Sequence, residues 1–187
     1  MINAAVFASG EGTNAENLFK FFENDTRIKI KLVVTNKDTA GIIARAEKYK
    51  KNVQIISRES LENYTSQFIE FLKLEKIDLI ILAGFLLKLP PQFVTAFPNR
   101  IINIHPSLLP KYGGKGMYGN KIHGAVLRNK ETESGITIHL VNEEYDEGQV
   151  ILQVRCEVLE EDTIETLAQK IQKLEHEHFP KVIERFL

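Results

Sequence analysis

The sequence has few of the features that tie a protein to disulfide bonds, nucleic acids or membranes. Cys156 is the single cysteine, so no intramolecular disulfide can form. Neither sign of charge is in excess, with 24 basic and 25 acidic residues, which argues against a nucleic-acid partner. The longest apolar run, residues 77–89, is interrupted by Asp78 and Lys88 and cannot span a bilayer, so no membrane partner is expected.

The N-terminal stretch MINAAVFASG also lacks the basic start and the long apolar segment of a secretory signal. The 187 residues, 43% of them apolar, are enough for one domain with its own core. We therefore expect a single domain over residues 1–187, located in the cytosol and acting as a monomer or a homodimer.

Short β-branched runs alternate with helical patterns along the chain. The runs cover residues 4–8, 30–35, 53–56, 77–83, 100–104, 135–141 and 149–154, and the helical patterns lie near 14–24, 40–50, 59–74, 90–97 and 119–129. This order predicts an α/β fold with a Rossmann-like, doubly wound, mostly parallel sheet. The last two runs are joined by NEEYDEG, which leaves no room for a crossover helix, so we expect an antiparallel pair near the C-terminal part.

A last helix is predicted from Asp162, which would be its N-cap with Glu165 three residues on. Apolar residues recur at helical spacing from 164 to 179. Pro180 is expected to kink or interrupt this helix, because proline lacks the backbone N–H that the helix needs.

A glycine-rich loop follows the first run. Residues 9–18, SGEGTNAENL, fit the G-x-G-x-x-G/A pattern of a dinucleotide-binding turn. Thr13 and Asn14 would open a helix whose first N–H groups attract an anion. The acid expected at the end of the second strand is missing, since Asn36 stands there. The loop therefore predicts either a phosphate site or an ordinary tight turn.

The stretch NIHPSLLP, residues 103–110, places two polar side chains at a strand end. Asn103 and His105 are two residues apart, so both point to the same side of the strand. An amide and an imidazole aimed at one point suit a developing oxyanion, and the histidine can also move a proton. Asp146 could orient and charge that histidine, although taken singly it suits a turn equally well.

No enzyme nucleophile and no metal site are expected. Ser107 lacks the context of a nucleophile elbow, and Cys156 lies in a predicted strand without a partner motif. His176 and His178 are two residues apart on a predicted helix, so they do not share a face that could bind a metal.

Taken together, these residues resemble the phosphoribosylglycinamide formyltransferases of purine synthesis, within the formyltetrahydrofolate-dependent superfamily. The resemblance is carried by SGEGTN at 9–14, LAGFLLKLPPQFV at 82–94, RIINIHPSLLPKY at 100–112, GITIHLVNEEYDEGQVILQ at 135–153 and LEHEHFP at 174–180. NIHPSLLP alone is similar to methionyl-tRNA formyltransferase and formyltetrahydrofolate deformylase. The SGxGTN loop and the chain length favour the glycinamide ribonucleotide family, because there is no room for the deformylase's regulatory domain or for an RNA-binding domain.

The resemblance implies that 10-formyltetrahydrofolate, the co-substrate, delivers its formyl group to the amine of 5-phosphoribosylglycinamide, with no metal. It assigns about residues 1–100 to binding of the substrate phosphate and about 101–187 to folate binding and catalysis. It also implies that Asn103, His105 and Asp146 are the catalytic trio.

Further binding residues follow from the resemblance alone. The substrate phosphate would be held by Gly12, Thr13 and Asn14, and the substrate ribose by Glu175. The folate pocket would be walled by Leu86, Leu87, Leu89, Val141, Asn142, Glu143 and Glu144. His139, on the strand before Asp146, would lie just behind the catalytic residues.

Two departures from the family pattern and two alternative functions remain open. Residues 111–119 are longer and richer in glycine than the common version and are expected to form a mobile lid. Leu87, beside Lys88, stands where some members have an arginine thought to contact the folate tail, so that contact is not transferred. A formyltetrahydrofolate hydrolase would use water in place of the amine, and a nucleotide-binding regulatory module would need the glycine loop but not the catalytic trio.

Overall fold

A computed structural model describes all of residues 1–187. The seven strands are β1 (Ile2–Phe7), β2 (Ile28–Thr35), β3 (Asn52–Ile55), β4 (Leu79–Leu82), β5 (Ile101–His105), β6 (Glu133–Leu140) and β7 (Val150–Glu157). The seven helices are α1 (Thr13–Phe21), α2 (Ile42–Lys48), α3 (Arg58–Asn63), α4 (Thr65–Leu74), α5 (Pro91–Ala96), α6 (Asn120–Arg128) and α7 (Ile164–Phe186). None of these helices combines the length and the apolar character that a bilayer span requires.

Backbone hydrogen bonds join the strands in the order β3-β2-β1-β4-β5-β6-β7. The pairs β1–β2, β1–β4, β2–β3 and β4–β5 are parallel, whereas β6 and β7 pair antiparallel. The prediction of a mostly parallel α/β sheet with an antiparallel pair near the C-terminal part is therefore confirmed. Each predicted run is a strand, with bounds that differ from the predicted ones by at most three residues.

The chain divides into two compact units, residues 1–103 with Leu187 and residues 104–186. In the first unit, β4 is buried at every position, as expected of a parallel strand covered on both faces. An aromatic cluster fills this core, in which the Phe7 ring lies 6.3 Å from Phe68 and 5.3 Å from Phe85. In the second unit, α7 packs against α6, β6 and β7.

The single helix predicted over residues 59–74 is wrong, because the chain forms two helices there. Tyr64, with φ −121° and ψ 32°, separates α3 from α4. The Thr65 hydroxyl donates to the Leu61 carbonyl at 2.6 Å, so a side chain binds an acceptor that a continuous helix pairs with a backbone N–H. This local competition ends α3 after six residues, fewer than two turns.

The last helix begins one residue later than predicted and continues through its proline. Thr163 caps α7, since its hydroxyl accepts from Thr166 N at 3.2 Å and Thr166 Oγ1 accepts from Thr163 N at 2.9 Å. Pro180 does not interrupt α7, which extends to Phe186. Pro180 itself and its neighbours Phe179 and Val182 are buried, so packing offsets the hydrogen bond that proline removes.

Candidate active site

The glycine loop of the first unit packs tightly against the start of α2. Gly12 has φ 73° and is the N-cap residue of α1, without a side-chain cap. A Cβ at Gly12 would lie 2.5 Å from Ile42 Cδ1 and 2.9 Å from Ile42 Cα, so only glycine fits. Arg45 Nε donates to the Glu11 carbonyl at 2.6 Å and holds the middle of the loop. The first turn of α1, with Thr13 and Asn14, is thereby fixed.

Asn36, at the position where a dinucleotide fold has its acid, serves the loop itself. Ser9 Oγ donates to Asn36 Oδ1 at 2.5 Å and accepts from Leu86 N at 2.8 Å. Ser9 thus ties the ends of β1 and β2 to the segment after β4. Sequence reasoning missed Ser9, because a serine in a glycine loop has no spacing signal of its own.

In the segment after β4, most of the apolar side chains are buried and one is exposed. Phe85 contacts Phe7 edge to face, and Leu87 and Leu89 are 8% and 6% exposed. Leu86, by contrast, is 39% exposed. Of the three leucines predicted to bind folate, Leu86 alone offers a large apolar surface to a ligand; binding by all three stays a prediction.

In the second unit, His105 and Asp146 face each other. His105 ends β5 and is 5% exposed. Its Nδ1 lies 3.6 Å from Asp146 Oδ1, and its Nε2 lies 2.9 Å from the Tyr112 carbonyl oxygen. Both ring nitrogens therefore face oxygen atoms, one of a carboxylate and one of a backbone carbonyl. The 3.6 Å between Nδ1 and Asp146 Oδ1 is longer than a hydrogen bond, and such distances commonly shorten when a substrate binds.

Two further predicted polar residues are Asn103 on β5 and His139 on β6. Asn103 lies two residues before His105 on β5, so both side chains leave the strand on the same side. His139 lies on β6, 2% exposed, with Nε2 3.9 Å from Asp146 Oδ1. Burial holds the pKa of His139 below its ordinary value, which keeps this ring neutral at neutral pH. The closer His105 is the better candidate to move a proton.

The glycine-rich segment 111–119, predicted as a lid, contacts both members of the pair. The Tyr112 carbonyl faces His105, and Gly114 N donates to Asp146 Oδ2 at 2.8 Å. Neither contact could be found in the sequence, because both use backbone atoms. The mobility of this segment stays a prediction.

Backbone conformation places Asp146. Its φ is 55°, in the left-handed region that aspartate tolerates better than most residues. Two residues on, a Cβ at Gly148 would lie 1.7 Å from the Leu140 carbonyl oxygen, so this turn closes against β6 only with glycine. Asp146 is thus both a turn residue and a partner of His105.

The remaining predicted binding residues lie on one loop and one helix of the second unit. Val141 is half-buried, and Asn142, Glu143 and Glu144 are exposed, with Glu144 N donating to Asn142 Oδ1 at 3.0 Å. Glu175 lies half-buried on α7. Their roles toward folate and ribose stay predictions.

Neither of the two side chains considered as nucleophiles is in a reactive state. Ser107 is fully buried, and its hydroxyl donates to the Lys111 carbonyl at 2.7 Å. Burial raises the pKa of the Cys156 thiol, which disfavours the reactive thiolate. An acyl-enzyme route therefore has no support in this chain.

The chain is similar to known proteins over nearly its whole length. The Formyl transferase family model matches residues 2–183. The phosphoribosylglycinamide formyltransferase of Bacillus subtilis (strain 168) is 37% identical over 98% of this chain and 93% of its own length. A chloroplastic enzyme of the same name from Arabidopsis thaliana is 39% identical over 96% of this chain, which spans 63% of that protein.

The fold of this chain is also similar to solved structures of related proteins. The crystal structure of phosphoribosylglycinamide formyltransferase from Bacillus halodurans superposes with a TM-score of 0.91 at 33% identity, covering 99% of this chain and 95% of its own. Glycinamide ribonucleotide transformylase 1 from Geobacillus kaustophilus gives a TM-score of 0.91 at 33% identity, covering 100% and 99%. The chain belongs to the formyl transferase family.

Proposed function

We propose that this chain transfers the formyl group of 10-formyltetrahydrofolate to the glycinamide amine of 5-phosphoribosylglycinamide, a step of purine synthesis. The observation that supports the proposal most directly is the buried His105 ring, with Asp146 3.6 Å from Nδ1, on the strand that also bears Asn103. Membership of the formyl transferase family, and relatives named for this reaction, support the choice of substrates.

The reaction needs no enzyme nucleophile, because the substrate amine attacks the formyl carbon directly. A C–N bond forms while the electrons of the formyl C=O bond move onto oxygen. Asn103 and the Nδ1–H of protonated His105 would hydrogen-bond this oxyanion, while Nε2 stays on the Tyr112 carbonyl. Removing one such donor costs roughly 3–4 kcal/mol in barrier.

Collapse of the intermediate restores the C=O bond and breaks the bond between the formyl carbon and N10 of the folate. The proton that the amine loses must reach N10, so that the folate leaves as tetrahydrofolate. Protonated His105 would donate a proton to N10 and then take up the proton that the amine loses, so the ring returns to its starting state. The Asp146 carboxylate would stabilise the imidazolium before and after the transfer.

The binding residues would act separately from this chemistry. The start of α1, with Gly12, Thr13 and Asn14, would hold the substrate phosphate through its N–H groups and helix dipole. Glu175 would hold the ribose, and the segments with Leu86 and Val141 would flank the folate. A cytosolic location and a monomeric or homodimeric state stay predictions.

The test mixes the protein with 10-formyltetrahydrofolate and 5-phosphoribosylglycinamide and follows the absorbance of the folate, with each substrate omitted in turn. We expect loss of the formyl group only when both are present. Turnover without the ribonucleotide would indicate the hydrolase instead. Absence of turnover, together with NAD or flavin bound to the purified protein, would indicate the regulatory module.

A further inference from the structure

We infer that Tyr112 and Glu131 are positioning residues for the reaction: together they hold the backbone carbonyl of Tyr112 on the His105 ring. This inference rests on the proposed function, since it concerns the histidine that would move the proton. Neither residue would touch a substrate. Their effect would pass through the Tyr112 carbonyl to His105 Nε2.

The contacts form one continuous chain. The Tyr112 carbonyl oxygen lies 2.9 Å from His105 Nε2. At the other end of the same residue, the Tyr112 hydroxyl donates to Glu131 Oε1 at 2.9 Å and accepts from Asn129 Nδ2 at 2.8 Å. Asn129 and Glu131 lie in the turn between α6 and β6, so this turn fixes the position of Tyr112.

We call the hydrogen bonds of the Tyr112 hydroxyl with Glu131 and Asn129 the anchor. The neighbouring Lys111 also binds Glu131. Lys111 Nζ donates to Glu131 Oε1 at 3.0 Å and to Oε2 at 2.9 Å. Hydrogen bonds from Lys111 and Tyr112 hold the pKa of Glu131 below its ordinary value, so its carboxylate stays charged. Because Lys111 is well exposed, its ion pair adds little by itself, and the Tyr112 hydrogen bond is the main link.

The Tyr112 side chain borders a cavity and is not packed on every side. A cavity of about 200 Å³ is lined by side chains that include Tyr112, Lys111, Glu131, Gln153 and Arg155. Tyr112 also has φ 57°, a left-handed conformation that costs a bulky residue free energy. The hydrogen bonds of the Tyr112 hydroxyl with Glu131 and Asn129 therefore help to hold this strained residue beside the open space.

The alignment of the ring depends on this anchor. With Tyr112 released, Nε2 would lose its acceptor and the ring could rotate away from Asp146. We therefore expect the anchor to affect the rate of the chemical step and its pH dependence rather than the binding of either substrate.

The test compares Tyr112→Phe and Glu131→Ala with the control Glu133→Ala. Glu133 lines the same cavity and pairs with Arg155, but it is not hydrogen-bonded to Tyr112. We expect kcat to fall roughly tenfold in the first two variants, as for loss of one net hydrogen bond. KM for both substrates should change less than about twofold, and the pH profile of kcat should shift. Glu131→Gln, which keeps an acceptor for the Tyr112 hydroxyl, should restore most of the rate.

A second measurement does not depend on activity. Nitrogen-15 NMR of the histidine rings should show a changed Nε2 signal of His105 in Tyr112→Phe and in Glu131→Ala, but not in Glu133→Ala. If kcat, its pH profile and the His105 signal all match the unchanged protein in both variants, the inference is wrong. If the protein without any substitution transferred no formyl group, the proposed function would be wrong. The NMR comparison would still test whether Tyr112 and Glu131 position His105.

Discussion

At the scale of single residues, the candidate site depends on a few positions that tolerate little change. Asp146 needs a left-handed backbone, and Gly148 needs the absence of a Cβ, because Leu140 O would be 1.7 Å away. His105 is buried between a carboxylate and a carbonyl. Each requirement involves a different physical property: backbone strain, steric exclusion and hydrogen bonding.

The charge of Asp146 can be tested without disturbing its shape. Asp146→Asn keeps the size, the tolerance for positive φ and an oxygen for Gly114 N, but it removes the charge facing His105. We expect kcat to fall by about 100-fold or more. The Kd of each substrate, measured by calorimetry, should stay within about twofold.

Glu147→Gln is the matched control, because Glu147 is the exposed carboxylate next in the chain. It should leave kcat close to that of the unchanged protein. A collapse of substrate binding in Asp146→Asn, in parallel with kcat, would contradict a catalytic role for this charge.

At the scale of elements, the start of α7 shows how polar contacts specify where a helix begins. Asp162 Oδ2 accepts from Leu159 N at 2.8 Å and from Lys170 Nζ at 2.5 Å, while Thr163 caps the helix. The hydrogen bond from Lys170, followed by that from Leu159 N, lowers the pKa of Asp162 from its ordinary 3.8 to about 2. The charged carboxylate therefore stabilises the folded chain.

The pH dependence of this contribution has a defined sign. Because the folded pKa is depressed, the stabilisation is complete above pH 3.8 and is lost as the pH falls toward 2. Asp162→Ala should lower the free energy of unfolding by about 1–2 kcal/mol at pH 7 and by much less at pH 2.5, as measured by urea unfolding. Thr163→Ala, which removes an uncharged cap, should cost about 1 kcal/mol at both pH values. Equal losses for Asp162→Ala at both pH values would contradict this account.

At the scale of the whole molecule, buried histidines make stability sensitive to mild acid. His123 and His139 are 4% and 2% exposed, and burial lowers the pKa of both. Their folded pKa values lie below the ordinary value of 6.5, so the unfolded chain takes up protons first as the pH falls. The free energy of unfolding should therefore decrease as the pH falls below 6.5.

His123 can be tested separately from the candidate site. Its Nδ1 has no hydrogen-bond partner, so His123→Leu removes a titrating group without breaking a contact of that atom. We expect the loss of stability between pH 7.5 and pH 5.5, measured by urea unfolding, to be smaller in His123→Leu. The comparison at pH 7.5, where the ring is neutral in both states, reports the packing effect alone. An unchanged pH dependence would show that His123 does not titrate on unfolding in this range.

Much of the fold could be predicted from periodicity because burial on one or both faces leaves a pattern in the residues themselves. All seven strands and the antiparallel pair followed from such patterns. The break at Tyr64 and the continuity of α7 through Pro180 could not, since they depend on a hydroxyl bond from Thr65 and on packing around the proline. Asn103, His105 and Asp146 were candidates from residue type and position at strand ends.

The sequence by itself determined the succession of strands along the chain, the glycine loop and the polar side chains available for chemistry, because each of these depends on side-chain type or local spacing. Only the tertiary structure decided that Asp146 faces His105 across 41 positions of chain, and that Tyr112 and Gly114 hold the pair with backbone atoms. Every residue has the same backbone carbonyl and all but proline the same N–H, so these contacts leave no mark in the sequence. They arise only when the folded chain brings distant segments together.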